Sequence, residues 1–156
     1  MFRLNKKSQN SDNQKKLLDN DLLESADDSH MYEEMEKAIK QNPINIKNYK
    51  VQPYFLCVMA IELNPWVIKN IIHQYEDLCL RAIRLNPRTI DYVKKKTKNI
   101  CLEAVRIDGT TLQFINDEQT EEICLEALKQ TPNAVYFINK FTKNINTYLK
   151  DNKINL

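Results

Sequence analysis

The chain has 156 residues and a net charge of +2, from 23 basic and 21 acidic side chains. This balance gives no overall field that would draw the chain to nucleic acid or to anionic lipid. The single glycine, Gly109, excludes the glycine-rich loops that hold phosphates and dinucleotides, and it disfavours hairpin-rich β folds. We therefore expect no cofactor, no catalytic residues and a protein that is not an enzyme.

Composition also bears on source and location. The chain contains 18 asparagines, 18 lysines and 16 isoleucines, a bias typical of an AT-rich genome. No apolar run approaches the roughly 18 residues of a membrane span, and the first residues contain no apolar segment of a secretory signal. These features predict a cytoplasmic protein that binds no membrane and whose thiols stay reduced.

Residues 1–30 form a polar arm that passes from lysine-rich to acidic. One interpretation is a solvated tail. The other is a short amphipathic helix that uses Leu17, Leu18, Leu22 and Leu23 to cap the next element. Both interpretations stay open at this point.

The four cysteines indicate an internal repeat, because 22, 22 and 23 residues separate them. No zinc site has this spacing. Aligning the chain on it gives FLCVMAIELNPWVIKNI, DLCLRAIRLNPRTIDYV, NICLEAVRIDGTTLQFI and EICLEALKQTPNAVYFI, preceded by a divergent copy, EEMEKAIKQNPINIKNY. The cysteine position holds Cys57, Cys79, Cys101 and Cys124, and an alanine follows three residues later in every copy as Ala38, Ala60, Ala82, Ala104 and Ala127.

Each copy is predicted to form two helices. The first half has apolar residues at helical spacing, with Ile107 as a candidate end of the apolar face, and Thr97, Thr120 and Thr142 stand where a helix N-cap is needed. An Asn-Pro pair or its equivalent then ends the first helix and caps a second helix of about two turns. These pairs are Asn42-Pro43, Asn64-Pro65, Asn86-Pro87, Asp108-Gly109 and Thr131-Pro132.

Self-similarity of this kind predicts an all-α solenoid of about five 22-residue helical hairpins. Residues 31–141 would form the repeats, and residues 142–156 a capping helix with Ile145, Tyr148 and Leu149 on its apolar side, followed by a short tail. A leucine-rich repeat is the main competing fold. It is disfavoured because Asn directly follows Leu63 and Leu85, with Pro next.

The recurring core C-L-x-A-[IVL]-x-x-N-P resembles the repeats catalogued as domain of unknown function 4116. The resemblance covers Glu34 to about Ile138, and it departs at Met35, which replaces the cysteine, and at Asp108-Gly109. It implies no established activity, no catalytic residues and no cofactor. Because such repeats are common in giant DNA viruses, it also implies a viral source, with the host cytoplasm or viral factory as the location.

The cysteines are expected to be buried packing residues rather than metal ligands or redox groups. Cys79 lies near His73 in sequence, but a Cys–His pair acts as a nucleophile only when the two side chains touch in a pocket. We therefore predict no catalytic and no metal site.

Basic residues give a candidate interaction patch around the third repeat. Lys40, Glu62, Arg84, Arg106 and Lys129 occupy one column and are expected to stack as a stripe. The candidate patch consists of Arg81, Arg84, Arg88, Lys94, Lys95, Lys96 and Arg106. It could bind phosphates or an acidic protein segment, but an ordinary solvated face is favoured because nearby glutamates offset it. The aromatic column Tyr92, Phe114 and Phe137 is expected to be core.

These observations predict a repeat scaffold that binds a protein partner. Two alternatives stay open: a nucleic-acid-binding repeat that uses the basic patch, and a structural element that stacks end to end with its own copies. The chain is accordingly expected to be a monomer or an end-to-end homo-oligomer.

Overall fold

The computed structural model describes residues 26–154, and within them it contains helices and no strand. The prediction of an all-α helical repeat is confirmed. The α-helices of this part are α1 (Ala26–Gln41), α2 (Tyr54–Leu63), α3 (Glu76–Leu85), α4 (Lys98–Ile107), α5 (Glu121–Gln130) and α6 (Lys143–Asp151). Between them lie five 3₁₀ helices: η1 (Pro43–Asn48), η2 (Pro65–Asn70), η3 (Pro87–Tyr92), η4 (Gly109–Phe114) and η5 (Pro132–Phe137).

The predicted threonine N-caps are present. The hydroxyls of Thr97, Thr120 and Thr142 accept hydrogen bonds from backbone N–H groups in the first turns of α4, α5 and α6. Each bond satisfies a donor that a helix start would otherwise leave unpaired, which is typically worth about 1 kcal/mol.

One residue both ends each α-helix and begins the 3₁₀ helix after it. The side chains of Asn42, Asn64, Asn86 and Asp108 accept a bond from the N–H two residues later. The prediction of a side-chain cap at Thr131 is wrong, because its hydroxyl makes no such bond. The backbone N–H of the capping residue donates to the carbonyl of the repeat alanine four residues earlier, as from Asp108 to Ala104 at 2.9 Å.

The second helix of each repeat has two turns, as predicted, but it is a 3₁₀ helix. Its first bond joins residues three apart, for example from the Thr89 N–H to the Asn86 carbonyl at 3.0 Å. The buried hydroxyls of Thr89 and Thr111 donate to the carbonyls of Asn86 and Asp108, each at 2.7 Å, and this tightens η3 and η4. A 3₁₀ helix has three residues per turn, so side chains three apart lie directly over one another.

The core is built from columns of equivalent side chains, one or two per helix. The fully or nearly fully buried aliphatic residues of these columns are Leu56, Leu78, Ile100, Ile123 and Ile145, then Ile39, Ile61, Ile83, Val105 and Leu128, then Ile46, Ile68, Ile90, Leu112 and Val135. Each side chain of this size contributes about 1.5–3 kcal/mol through burial.

Two expectations about this core are wrong. Ile107 is 41% exposed, because it is the last residue of α4 and points away from the stack. In the aromatic column, Tyr92 is 40% exposed, and Phe114 and Phe137 are half-buried. The column lies at the C-terminal end of the 3₁₀ helices, where a side chain covers the core edge without entering it.

The chain divides into two compact units, one ending at Leu78 and one beginning at Cys79. In unit 1, α1 packs on α2, and η1 packs on η2. In unit 2, α4 packs on α5, α5 on α6, and η4 contacts both η3 and η5. Within each unit, therefore, α-helices form one layer and 3₁₀ helices the other.

Two of the predicted segment boundaries fall near the ends of the described residues. The arm is predicted over residues 1–30, and its residues 1–25, which include the leucines at positions 17, 18, 22 and 23, lie outside the described residues. Its residues 26–30 belong to α1, which begins at Ala26. At the other end, α6 buries Ile145 and Leu149, and Tyr148 is half-buried. Its remaining side chains are polar and mostly exposed.

Candidate interaction surface

The alanine and cysteine columns lie inside the helix layer. Ala60, Ala82, Ala104 and Ala127 are fully buried, whereas Ala38 of the divergent first repeat is half-buried. Cys57, Cys79, Cys101 and Cys124 are all buried, and none forms a disulfide. Small side chains at these positions let neighbouring helices approach closely.

Burial disfavours the thiolate form at two of the cysteines. Burial raises the pKa of the Cys101 thiol to about 11, and the nearby Glu118 carboxylate adds to the effect. Burial likewise raises the pKa of Cys124. The Cys124 sulfur donates a weak hydrogen bond to the Gln119 side-chain oxygen at 3.7 Å. His73, which the sequence places near Cys79, is exposed, whereas Cys79 is 1% exposed.

A glutamine column, which the sequence analysis missed, joins successive 3₁₀ helices. The Gln119 amide donates to the Ile115 carbonyl at 2.7 Å and to the Phe137 carbonyl at 2.8 Å, and its oxygen accepts from the Asn139 N–H at 3.0 Å. Gln52 does the same in unit 1, bonding the Ile46 and Asn70 carbonyls and the Ile72 N–H.

The signal for this column was present in the sequence. Gln52, Gln74 and Gln119 each stand five residues before a repeat cysteine, and Lys96 interrupts the series. Lys96 therefore stands at a position where other repeats carry a structural glutamine, and its side chain is half-buried. The lysine-rich composition of this turn places Lys96 in the candidate basic patch, whereas its repeat position is that of a structural glutamine.

Two arginines of the basic stripe are paired with glutamates of the next repeat. Arg84 contacts Glu103 at 2.6 Å, and Arg106 contacts Glu126 at 3.0 Å. Lys129 also contacts Glu126, at 2.7 Å, and the bonds from Lys129 and Arg106 lower the pKa of this carboxyl. The outer side of the α-layer in unit 2 is thus a ladder of ion pairs between neighbours, which leaves little unpaired positive charge there.

The rest of the candidate basic patch lies on more than one element. Arg88 approaches Asp108 at 4.0 Å, and Arg81, Lys94 and Lys95 are exposed. Arg81 lies on α3, whereas Lys94 and Lys95 lie in the turn before α4. Of the seven candidate residues, Arg84, Arg88 and Arg106 therefore lie within ion-pair distance of a carboxylate.

Exposed apolar side chains are concentrated in unit 1. It contains seven of the twelve large apolar residues that are exposed within the described part of the chain. Four of the seven lie on its 3₁₀ helices or in the turns just after them: Ile44, Val51, Trp66 and Ile72, with exposed fractions of 37–55%. Contiguous exposed apolar patches mark interaction sites on protein surfaces, which makes these four residues candidates for a contact surface.

Lysines accompany these apolar side chains. Lys47 follows Ile44 by three residues on η1, and Lys69 follows Trp66 by three residues on η2. Lys50 lies in the turn after η1, and neither Lys47 nor Lys50 forms an ion pair with any residue of 26–154. We call the set Ile44, Lys47, Lys50, Val51, Trp66, Lys69 and Ile72 the unit-1 3₁₀ surface.

The remaining features of the described residues offer no comparable site. A cavity of about 170 Å³ lies in unit 2 beside Asn116, Gln119 and Asn139, below the roughly 300–1,000 Å³ of small-molecule pockets. Hydrogen bonds within the fold already use Gln119 and Asn139. Between residues 26 and 154, no group of three or more His, Cys, Asp or Glu side chains is arranged to hold a metal ion. The same residues include no helix with the length and apolar character needed to cross a membrane.

Two overlapping segments of the chain match the model of one protein family. Residues 75–119 and 97–143 each match the model of a family described as Domain of unknown function (DUF4116). The resemblance read from the repeat core is thereby confirmed over these residues, which run from α3 to the start of α6. No curated protein and no solved structure matches the chain.

Proposed function

We propose that the chain is a non-enzymatic interaction module that binds a protein partner through the unit-1 3₁₀ surface. The observation that carries the proposal is the concentration of exposed apolar side chains beside lysines on η1 and η2. Helical repeats use neighbour contacts for stability and leave an extended face on which side chains vary.

The proposal is supported by the separation, within each repeat, of the residues that stabilise the fold from the exposed residues that vary. The alanine, cysteine, threonine and glutamine columns serve packing, capping and bonds between repeats. The two variable positions on the outside of the 3₁₀ helices read Ile44 and Lys47 in the first repeat and Thr110 and Gln113 in the fourth. The packing and capping residues recur in the repeats, whereas these two outer positions differ from repeat to repeat. Exposed positions that vary in this way are suited to recognising a partner.

The alternatives named from the sequence are less well supported. The nucleic-acid alternative uses the basic surface of the third repeat, where Arg84 is engaged by a glutamate, as is the neighbouring Arg106, whereas Lys94 and Lys95 are exposed. For stacking between copies, α6 offers no apolar exposed side, because Lys143, Asn146 and Lys150 are exposed there.

Affinity purification with mass spectrometry tests the proposal, using the full chain from the cells in which it is naturally made. The informative comparison is between the wild type, the double variant Lys47→Glu/Trp66→Ser, and the control Lys94→Glu/Lys95→Glu in the other unit. We expect a protein that the wild type and the control retain and the double variant loses. Recovery of the same proteins by all three chains, or recovery that nuclease abolishes, would contradict the proposal. The cytoplasmic location and viral source stay predictions.

A further inference from the structure

We infer that the partner segment bound by the unit-1 3₁₀ surface is an acidic peptide with aliphatic side chains. The inference rests on the proposed function and names the chemistry of the partner. It follows from the arrangement of apolar and basic side chains on η1 and η2, and from the absence of carboxylates around them in the sequence.

The arrangement is set by 3₁₀ geometry. Side chains three apart on such a helix are eclipsed, so Ile44 lies over Lys47 and Trp66 lies over Lys69. Because η1 and η2 pack against each other and the two pairs occupy equivalent positions, they lie side by side. The result is an apolar row next to a basic row, both exposed.

The sequence around η1 and η2 contains several lysines and almost no acidic residues. Glu62 is the only acidic residue between Glu36 and Glu76, and it lies on α2 rather than on a 3₁₀ helix. The first turns of η1 and η2 contain no acidic residue. A ligand that places carboxylates over Lys47 and Lys50 therefore gains attraction and meets no like charge from the 3₁₀ helices.

The apolar row fits a peptide better than a nucleic acid. Three of the four exposed apolar residues of the unit-1 3₁₀ surface, Ile44, Val51 and Ile72, are aliphatic and offer no flat face for a base to stack on. Residues 26–78 contain no arginine, the side chain that binds phosphates in a bidentate manner. A peptide can place aliphatic side chains against Ile44 and Trp66 while its carboxylates face the lysines. Such a peptide contacts both the apolar row and the basic row.

Trp66 provides a direct measurement, because it is the only tryptophan in the chain and is 37% exposed. The full chain is titrated with a synthetic twelve-residue peptide in which Asp and Glu alternate with Leu, while the Trp66 emission spectrum is recorded. Two further probes are a peptide with Asn and Gln in place of the acids, and a twelve-nucleotide oligothymidine. We expect a saturable blue shift with the acidic peptide alone.

Two charge reversals of equal size locate the binding. Lys47→Glu/Lys50→Glu should weaken the acidic peptide by about tenfold or more, since a tenfold change corresponds to about 1.4 kcal/mol. Lys94→Glu/Lys95→Glu, outside the unit-1 3₁₀ surface, should change the affinity by less than about twofold, which corresponds to about 0.4 kcal/mol. Far-UV circular dichroism of each variant verifies that it is folded. All four substituted lysines are exposed, so neither reversal removes a core side chain.

Several results would overturn the inference. They are no change in Trp66 emission with the acidic peptide, equal binding of the amide peptide, an equal response to the oligothymidine, or equal weakening by the two reversals.

The chain's own residues 17–24, LLDNDLLE, have the same chemistry. Replacing Asp19, Asp21 and Glu24 by amides in the full chain should leave the affinity unchanged, and a tenfold gain would make this segment the occupant instead. A failed titration combined with a partner that depends on Lys47 and Trp66 would refute the peptide chemistry and leave the proposed function standing.

Discussion

Gly109 stands where four other repeats have proline, so a consensus argument would replace it with proline to stabilise the chain. The structure leads us to expect the opposite. Gly109 is buried, and a Cβ added to it would lie 2.4 Å from the backbone oxygen of Ala127 and 2.9 Å from Cγ2 of Thr131. Its N–H also donates to the Gln130 side-chain oxygen at 2.7 Å.

The magnitude follows from which atoms collide. The Ala127 oxygen belongs to the backbone of α5 and cannot rotate away, so η4 and α5 must move apart. Overpacking of this kind costs about 1–3 kcal/mol, and we expect Gly109→Ala to lower Tm by about 2–12 °C for a chain of this size. Gly109→Pro adds the loss of the hydrogen bond to Gln130, worth a further 0.5–1.5 kcal/mol or so, and should be worse.

Urea unfolding followed by far-UV circular dichroism measures the effect. Gln130→Ala is the matched control, because it removes the hydrogen bond without adding a Cβ, and it should cost less than about 1.5 kcal/mol. An unfolding midpoint of Gly109→Ala equal to that of the wild type, or a more stable Gly109→Pro, would refute the close approach of η4 to α5.

Three further outcomes are expected. Ala104→Leu should destabilise by about 1–3 kcal/mol in a urea melt, and Ala38→Leu at the half-buried equivalent by less; equal costs would mean that Ala104 is not in a tight contact. Gln119→Leu should cost about 1–3 kcal/mol because it leaves backbone groups without partners, whereas Gln113→Leu at an exposed position should be nearly neutral in the same melt. The Cys101 thiol should alkylate slowly at pH 8 in the native chain and rapidly in urea, as followed by mass spectrometry. Because its pKa rises from 9.0 to about 11 on folding, its contribution to stability is full below pH 9 and is lost as the pH rises to 11; fast native alkylation at pH 8 would contradict this.

The sequence predicts the local structure of the repeat well, because caps and helix ends depend on neighbouring residues. Thr97 and Asn86 satisfy donors two or three residues away, and such bonds can be read from spacing alone. The distinction between an α and a 3₁₀ second helix could not be predicted. Six residues with apolar spacing suit both, and the hydroxyl bond of Thr89 has no counterpart at Val67 or Ala134, where the helix is also 3₁₀.

The surface was harder to predict, because its contacts join residues about one repeat apart. The pairing of Arg84 with Glu103 depends on how neighbouring helices are offset along their axes, which the sequence does not specify. The function of Gln119 likewise depends on two 3₁₀ helices whose carbonyls converge on one amide. For the same reason the arginines of the third repeat stand out in the sequence, whereas Ile44 and Trp66 do not.

The most direct test of the interaction surface is site-specific photo-crosslinking in the cells in which the chain is naturally made. A photoreactive amino acid replaces Lys47 in one chain and Gln113, the equivalent residue of η4, in another. The account predicts a discrete protein adduct from position 47 and none from position 113. Adducts of equal yield from both positions, or none from position 47, would contradict it.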